Sequence, residues 1–300
     1  MPSPGPNEVL VRVVAASLNP LDWHYMRGKP YLLRTSAGYR RPKRALRGVD
    51  AAGVVEAVGA EVTDFKPGDQ VFGLCAGSLA EYGVSEAKDE LVAKPEALSY
   101  ERAAALPIAG VTALQAIRRA DLKRGQTLLV NGAAGGVGTF AVQIAAQMGA
   151  EVTGVCSTAN LDTVQSLGAT TVIDYAAEDF AASRERYDVV LDTVGNHSLG
   201  DLRRCIQRGG ALILIAPRPG EWIAPLVLPL GAMVTSKIRR ERLLPMLAKV
   251  NREDLTTLAN LTVEEKISPV VSRTCSLGDA PAAMRHLETG HALGKLVVII

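Results

Sequence analysis

The chain has 300 residues, 48% hydrophobic and 21% charged, enough for one large or two medium domains with buried cores. Its 33 basic and 31 acidic residues leave a formal net charge of +2, and only 4% are aromatic, so neither nucleic acid nor a membrane surface is an expected partner. Cys75, Cys156, Cys205 and Cys275 lie far apart without CxxC spacing, no apolar run reaches spanning length, and no signal peptide precedes Val9; a soluble chain in a reduced, cytoplasmic setting is expected.

In chain order, Met1 to Asn7 (MPSPGPN) is a turn-like entry to a strand over Val9 to Ala15. From Val49 to Val84 short strands are punctuated by Gly53, Gly59, Gly68, Gly73 and Gly77, with Lys66 to Asp69 as a turn; this is irregular, partly closed β structure. Ser99 fits the N-cap of a helix leading into Ala103 to Ala105. Pro107 should break that helix, and Thr112 to Arg119 should resume it.

Thr127 to Ser157 then reads as a βαβ unit. Leu128-Leu129-Val130 suit a strand buried on both faces, Gly132 to Gly138 form a turn, and Phe140, Ile144 and Met148 share one face of a helix that Gly149 ends. A second strand follows over Val152 to Val155. Gly135 and Gly136 permit close approach of a pyrophosphate to the main chain, the amides from Gly136 and Val137 onward supply donors at a helix start, and Gly138 allows helix and strand to pack. Ala133 replaces the first glycine of the usual G-x-G-x-x-G, so the bare motif is weak and a turn that binds nothing stays open. Further strands are expected at Thr171 to Ile173, Asp188 to Leu191 and Ala211 to Ile215, which with intervening helices imply a parallel, doubly wound sheet. Val194-Gly195-Asn196 and Ile215-Ala216-Pro217 follow two of these strands, where open α/β sheets bind ligands. Arg239 to Asn260 reads as helices.

Asn131 to Val142 (NGAAGGVGTFAV) resembles the cofactor turn of the medium-chain dehydrogenase/reductase superfamily, and more closely its zinc-free quinone oxidoreductase branch. Asn19 to Gly28 (NPLDWHYMRG), Gly48 to Gly73 and Gly290 to Val298 resemble further blocks of that branch in the same order. The resemblance implies a GroES-like, β-rich substrate domain over 1–98 and 263–300, and a Rossmann domain over 99–262 that binds NADP. It also implies an additional β-hairpin ahead of Val9, so the chain is expected to begin roughly one hairpin late.

The resemblance carries expectations for single residues. Asn19, His24 and Tyr25 are the expected catalytic group, with Asn19 bonding cofactor or substrate oxygen and His24 or Tyr25 donating a proton or hydrogen bond. Trp23 could wall the pocket or simply pack, Asp22 more readily caps a turn, and Tyr82 could line the pocket or belong to the core. Thr112 is implied near the nicotinamide, and Lys295 as the residue that reaches back to the cleft. Ser157 and Tyr175 resemble the 2′-phosphate contacts of NADP-binding relatives, but Ala159 and Asn160 stand where those often carry Lys or Arg. No carboxylate follows the second strand until Asp162, so NADPH is the expected cofactor with NADH possible. Val49 and Asp50 stand where zinc-dependent cousins place His and Glu, and no metal is expected.

The expected activity is hydride transfer to the β-carbon of an enone or to a quinone, with a small electrophilic molecule as substrate. Carbonyl reduction or alcohol oxidation on the same scaffold, and a weakly catalytic NADPH-binding protein, remain open. Relatives usually dimerise through the last strand of the cofactor domain, here expected around Ala232 to Thr235, beside the apolar stretch Trp222 to Val234.

Overall fold

The structure, a computed structural model, describes residues 2–28, 47–215 and 241–300. The chain forms two compact units, one of residues 1–111 and 249–300 and the other of residues 112–248. The first unit opens with β1 (Glu8–Ser17), which runs into α1 (Pro20–Arg27). Then come β2 (Asp50–Val58), β3 (Gln70–Leu74), β4 (Tyr82–Glu86) and β5 (Leu91–Ala93). α2 (Tyr100–Ala104) is capped by Ser99, whose Oγ accepts from the Arg102 N–H at 3.3 Å. α3 runs over Pro107–Ala120. Pro107 therefore separates two helices as expected, but the second begins at Pro107 itself and not at Thr112. The first position of a helix needs no N–H donor, and the fixed proline φ suits it.

The second unit contains β6 (Thr127–Asn131), α4 (Gly136–Gln147), β7 (Glu151–Cys156), α5 (Leu161–Ser166), β8 (Thr171–Asp174), β9 (Tyr187–Asp192), α6 (Leu199–Arg204), β10 (Ile206–Leu214) and β11 (Arg242–Pro245). Its sheet has the order β11-β10-β9-β6-β7-β8, and every neighbouring pair is parallel. Leu128, Leu129 and Val130 are at most 1% exposed, so consecutive side chains are covered on both faces of β6. From β6 the chain moves outward through β7 and β8, then returns to β9 on the other side of β6. That reversal is a topological switch point, where open α/β sheets receive their ligands.

Two local expectations change here. Met148 does not share the buried face of Phe140 and Ile144: it caps α4 and is 41% exposed, because the helix has ended at Gln147. Arg242 to Pro245, expected as helix, form a strand whose Leu243 packs into the core cluster with Leu212 and Leu214. Pro245 is tolerated because β11 is the edge strand of the sheet among the described residues.

The chain then returns to the first unit through α7 (Arg252–Val263), β12 (Val271–Ser276), α8 (Ala280–Glu288) and β13 (Lys295–Ile299). The sheet there has the order β12-β13-β1-β2-β3-β5, with β4 also on β1. One edge of β1 pairs with β2 over most of its length; the other is divided between β4, over Glu8 to Arg12, and β13, over Ala15 to Ser17. Two register shifts against β2, at Leu10/Val11 and Val13/Ala15, bend the strand enough to serve both partners. The consequence for function is local: the last strand of the chain is hydrogen-bonded to the end of the first, which brings Lys295 to the start of α1.

Candidate active site

The glycine turn fits a dinucleotide on its own geometry. Gly132 leaves β6 with φ +86°, a conformation that side chains resist. A Cβ on Gly138 would lie 2.1 Å from the Gly132 carbonyl oxygen, so only glycine lets α4 start this close to the turn. Gly135 is the N-cap of α4 and provides no side-chain acceptor, which leaves the N–H groups from Gly136, Val137 and Gly138 to an external anion. Ala133, the departure from the usual pattern, is fully buried and its N–H bonds the Val155 carbonyl at 2.9 Å. The turn thus keeps its shape without a glycine there.

The other residues expected for the cofactor lie at the carboxyl ends of the same parallel strands. Ser157 and Asn160 follow β7, Tyr175 follows β8, Val194 and Gly195 follow β9, and Ile215 follows β10. Ala216 and Pro217 lie outside the described residues. Ser157 Oγ accepts from Asn160 Nδ2 at 3.0 Å, so it makes no capping bond and keeps its own O–H to donate. Tyr175 is 51% exposed, and its N–H bonds the Cys156 carbonyl at 3.1 Å. Gly195 takes φ +76° and its N–H, with that of Val194, bonds Asp192 Oδ1 at 3.0 and 3.1 Å. Asn131 Nδ2 donates to the same Asp192 oxygen at 2.8 Å and to Asn196 Oδ1 at 2.9 Å, which fixes the turn after β9 against the end of β6. Sequence reasoning passed over Asn131 and Asp192. Their signal was a polar side chain closing each of two apolar strands. Thr112 is buried in α3.

In the first unit a second polar group is assembled. Lys295, 2% exposed, donates from Nζ to the Leu18 carbonyl at 3.0 Å and to Asn19 Oδ1 at 2.6 Å, and lies 3.6 Å from Asp50 Oδ2. Asp50 Oδ2 accepts from Ser17 Oγ at 3.0 Å and Asn19 Nδ2 at 2.8 Å, while Oδ1 accepts from the Ile108 N–H at 3.2 Å. Burial pushes the Asp50 carboxyl up and the Lys295 ammonium down, and each opposes the shift of the other. Three donors besides Lys295 converge on Asp50, and Lys295 meets two neutral oxygen acceptors. Those partners fit an ionised pair. Both ends of the Asn19 amide are therefore held inside the protein, and its remaining donor faces the Ser17 carbonyl at 3.4 Å.

Asp22 caps α1, accepting from the Asn19 N–H at 2.8 Å as expected of a turn cap. Burial pushes its carboxyl up to about 7, with Asp50 adding to the shift and the Asn19 bond and Lys295 opposing it. Trp23 packs against the core around Leu18, Met284 and Leu296, and its ring centroid is 3.7 Å from that of His24. His24 is half-buried and Tyr25 is 40% exposed. Tyr82 is half-buried in β4. Among the described residues no group of three or more His, Cys, Asp or Glu side chains could hold a metal ion.

The alcohol dehydrogenase GroES-like domain family matches residues 5–96, and the zinc-binding dehydrogenase family matches residues 167–298. The chain is 35% identical to the chloroplastic quinone-oxidoreductase QR1 of Triphysaria versicolor, over 99% of this chain and 91% of that protein. It is 32% identical to the chloroplastic NADPH-dependent alkenal/one oxidoreductase of Arabidopsis thaliana, over 97% of this chain and 72% of that one. The structure of the quinone oxidoreductase from Coxiella burnetii superposes with a TM-score of 0.88 at 33% identity, covering 100% of this chain and 92% of that chain. The chain belongs to the medium-chain dehydrogenase/reductase superfamily, in its quinone oxidoreductase-like branch, with a GroES-like unit and a Rossmann unit.

The buried Asp22 makes stability depend on pH in a defined direction. Its folded pKa of about 7 lies above the ordinary 3.8, so the folded state holds a proton that the unfolded chain releases between those values. This contribution is complete below pH about 4 and is lost as pH rises through about 7, on the order of 4 kcal/mol at most. Asp22→Asn keeps an oxygen acceptor for Asn19 and has no proton to lose. Chemical denaturation at pH 5 and pH 8 should show a smaller loss of stability in the variant than in the parent; equal losses would refute the assignment.

Proposed function

We propose that the chain is an NADPH-dependent reductase that passes hydride to the β-carbon of an enone or to a quinone, with NADH a weaker substitute. The observation that carries this reading is the uncapped, glycine-lined start of α4 at the switch point of a parallel sheet. The relatives named for quinone and for NADPH-dependent alkenal/one oxidoreduction supply the substrate class. In this reading Gly135, Gly136, Val137 and Gly138 hold the pyrophosphate, and Ser157, Asn160 and Tyr175 take the 2′-phosphate. Thr112, Val194, Gly195 and Ile215 serve the nicotinamide side. When bound, the reduced nicotinamide supplies the hydride.

We assign substrate and proton handling to the group Asn19, His24 and Tyr25, with His24 and Tyr25 as the donors and Asn19 as a positioning residue. Asn19 contributes an orientation fixed from both ends, and Lys295 serves by holding it. The half-buried His24 and exposed Tyr25 retain side chains that can donate to a developing oxyanion. We assign substrate binding to residues 1–98 and 263–300 and cofactor binding to 99–262, a division that keeps all of β6 to β11 in the cofactor part.

Incubation of purified protein with an enone and NADPH should give the saturated ketone. An allylic alcohol would instead assign carbonyl reduction, and binding without turnover on enones, quinones and aldehydes would assign a binding protein. Gly136→Asp, which puts a side chain and a negative charge where the pyrophosphate belongs, should abolish binding of both nicotinamides while leaving the circular dichroism unchanged. Retained affinity would remove the glycine turn from the site.

We further propose that catalysis uses no zinc. Asp50, where the resemblance places Glu in the zinc-dependent cousins, is committed to Lys295, Asn19, Ser17 and Ile108. Elemental analysis should find no stoichiometric zinc, and chelators should leave turnover unchanged; one tightly held zinc per chain would overturn this. A homodimer in the reducing cytoplasm is the working form we infer, from its four free cysteines and from the family resemblance of the sequence. The strand expected to form the dimer, around Ala232 to Thr235, and the apolar stretch Trp222 to Val234 beside it lie outside the described residues. Among the described residues no helix is long and apolar enough to cross a membrane. Light scattering at micromolar concentration should give twice the chain mass, and a monomeric mass would count against it.

A further inference from the structure

Between Ser157 and Asp179 the chain carries four acidic residues, Asp162, Asp174, Glu178 and Asp179, and no lysine or arginine. One of the four is built into the turn after β7. Asp174 closes β8 in register with Cys156, the last residue of β7, which brings its carboxylate level with the segment Ser157 to Asn160. Its Oδ2 accepts from the Thr158 hydroxyl at 2.5 Å, and its Oδ1 accepts from the Ala176 N–H at 2.9 Å. These bonds hold the carboxyl below the usual carboxylate range, so the charge is present at neutral pH. Thr158 itself stands between Ser157 and Asn160, which bond one another. Dinucleotide folds that choose NAD place a carboxylate at the end of the second strand, where it accepts from the ribose 2′-hydroxyl and repels a 2′-phosphate. Here that strand, β7, ends without one. The adjacent strand brings one to the same level.

We propose that Asp174 is a specificity-determining residue: its fixed negative charge beside the Ser157 to Asn160 turn opposes a 2′-phosphate and leaves a 2′-hydroxyl unopposed, which holds down the preference for NADPH. This deepens, and rests on, the reading that the glycine turn binds the dinucleotide. The geometry distinguishes Asp174 from its neighbours: Thr158 anchors its carboxylate to the very turn that the phosphate would occupy. A like charge at a few ångströms in a partly hydrated site changes affinity by about tenfold.

The test is direct titration of NADPH and NADH onto the full chain, as wild type and as Asp174→Asn. The amide keeps the shape, accepts from the Ala176 N–H and can donate to Thr158 Oγ, so the turn should persist. NADPH should bind about tenfold more tightly to the variant and NADH less than twofold differently. The gain should shrink at high salt, where the screening length falls from about 10 Å at 0.1 M to about 3 Å at 1 M. Asp174→Ser, which also keeps an acceptor, repeats the comparison if the asparagine variant unfolds earlier on heating. Equal tightening of both nucleotides, or no change in either while wild type binds both and Gly136→Asp binds neither, would overturn the proposal and leave the dinucleotide site standing. Failure of wild type to bind either nucleotide would overturn the site and the proposal together.

Discussion

The buried pair of Lys295 and Asp50 is the constraint on which the first unit depends. An ammonium and a carboxylate almost fully out of water are tolerated only if each finds enough partners, and losing one alone typically costs roughly 3–5 kcal/mol because the other is left uncompensated. The partners come from four stretches of the chain, Ser17 to Asn19, Asp50, Ile108 and Lys295. Lys295 opens β13, Asp50 opens β2, Ser17 ends β1, Asn19 precedes α1, and the Ile108 N–H belongs to the first turn of α3. Satisfying two charges therefore fixes where five elements meet. The bend in β1 serves the same end, since β13 can reach Ser17 only where β4 has let go of the strand.

The second unit answers a different demand. A parallel sheet buried on both faces ends in polar backbone groups that must be satisfied where the chain turns. Asp192 does this for the turn after β9 by accepting from the Val194 and Gly195 N–H groups. Asn131 ties it to β6, and Thr193 Oγ returns a bond to the Asn131 carbonyl at 2.7 Å. The turn beside it is left with donors and no side-chain acceptors, because its cap is glycine. Among the described residues, the turn after β6 thus differs from the turn after β9 in having no side chain that caps its N–H groups.

Local signals in the sequence locate most of this. The βαβ unit was legible because glycine spacing, a run of buried aliphatics and helical periodicity agree, and Ala133 disturbs only a position whose N–H bonds within the sheet. Arg242 to Pro245 were misread because four residues are too few to show a period. Only pairing with β10 makes them a strand. Pro107 breaks one helix as expected and also opens the next, at a position where no N–H donor is needed. Long-range partnerships left the least trace. Lys295 was expected to reach toward the cofactor, yet the structure shows its ammonium engaged by Leu18 and Asn19, groups more than two hundred residues away along the chain. Nothing in either local stretch encodes that meeting, which follows from β13 pairing with β1.

Four aspartates show how far environment, and not residue type, decides what a carboxylate does here. Asp50 is sealed from water but supplied with a cation and three further donors, so it can stay charged and act as a structural anchor. Asp22 is almost as deeply buried, receives a single backbone bond and faces Asp50, so its proton is retained to about pH 7. Asp192 spends one oxygen on two backbone N–H groups and an amide, and becomes part of a turn. Asp174 is the least buried of the four: a threonine hydroxyl and one N–H fix its direction while water supports its charge. Such a group keeps an outward field. It is charged without being neutralised by the protein, and held without being enclosed.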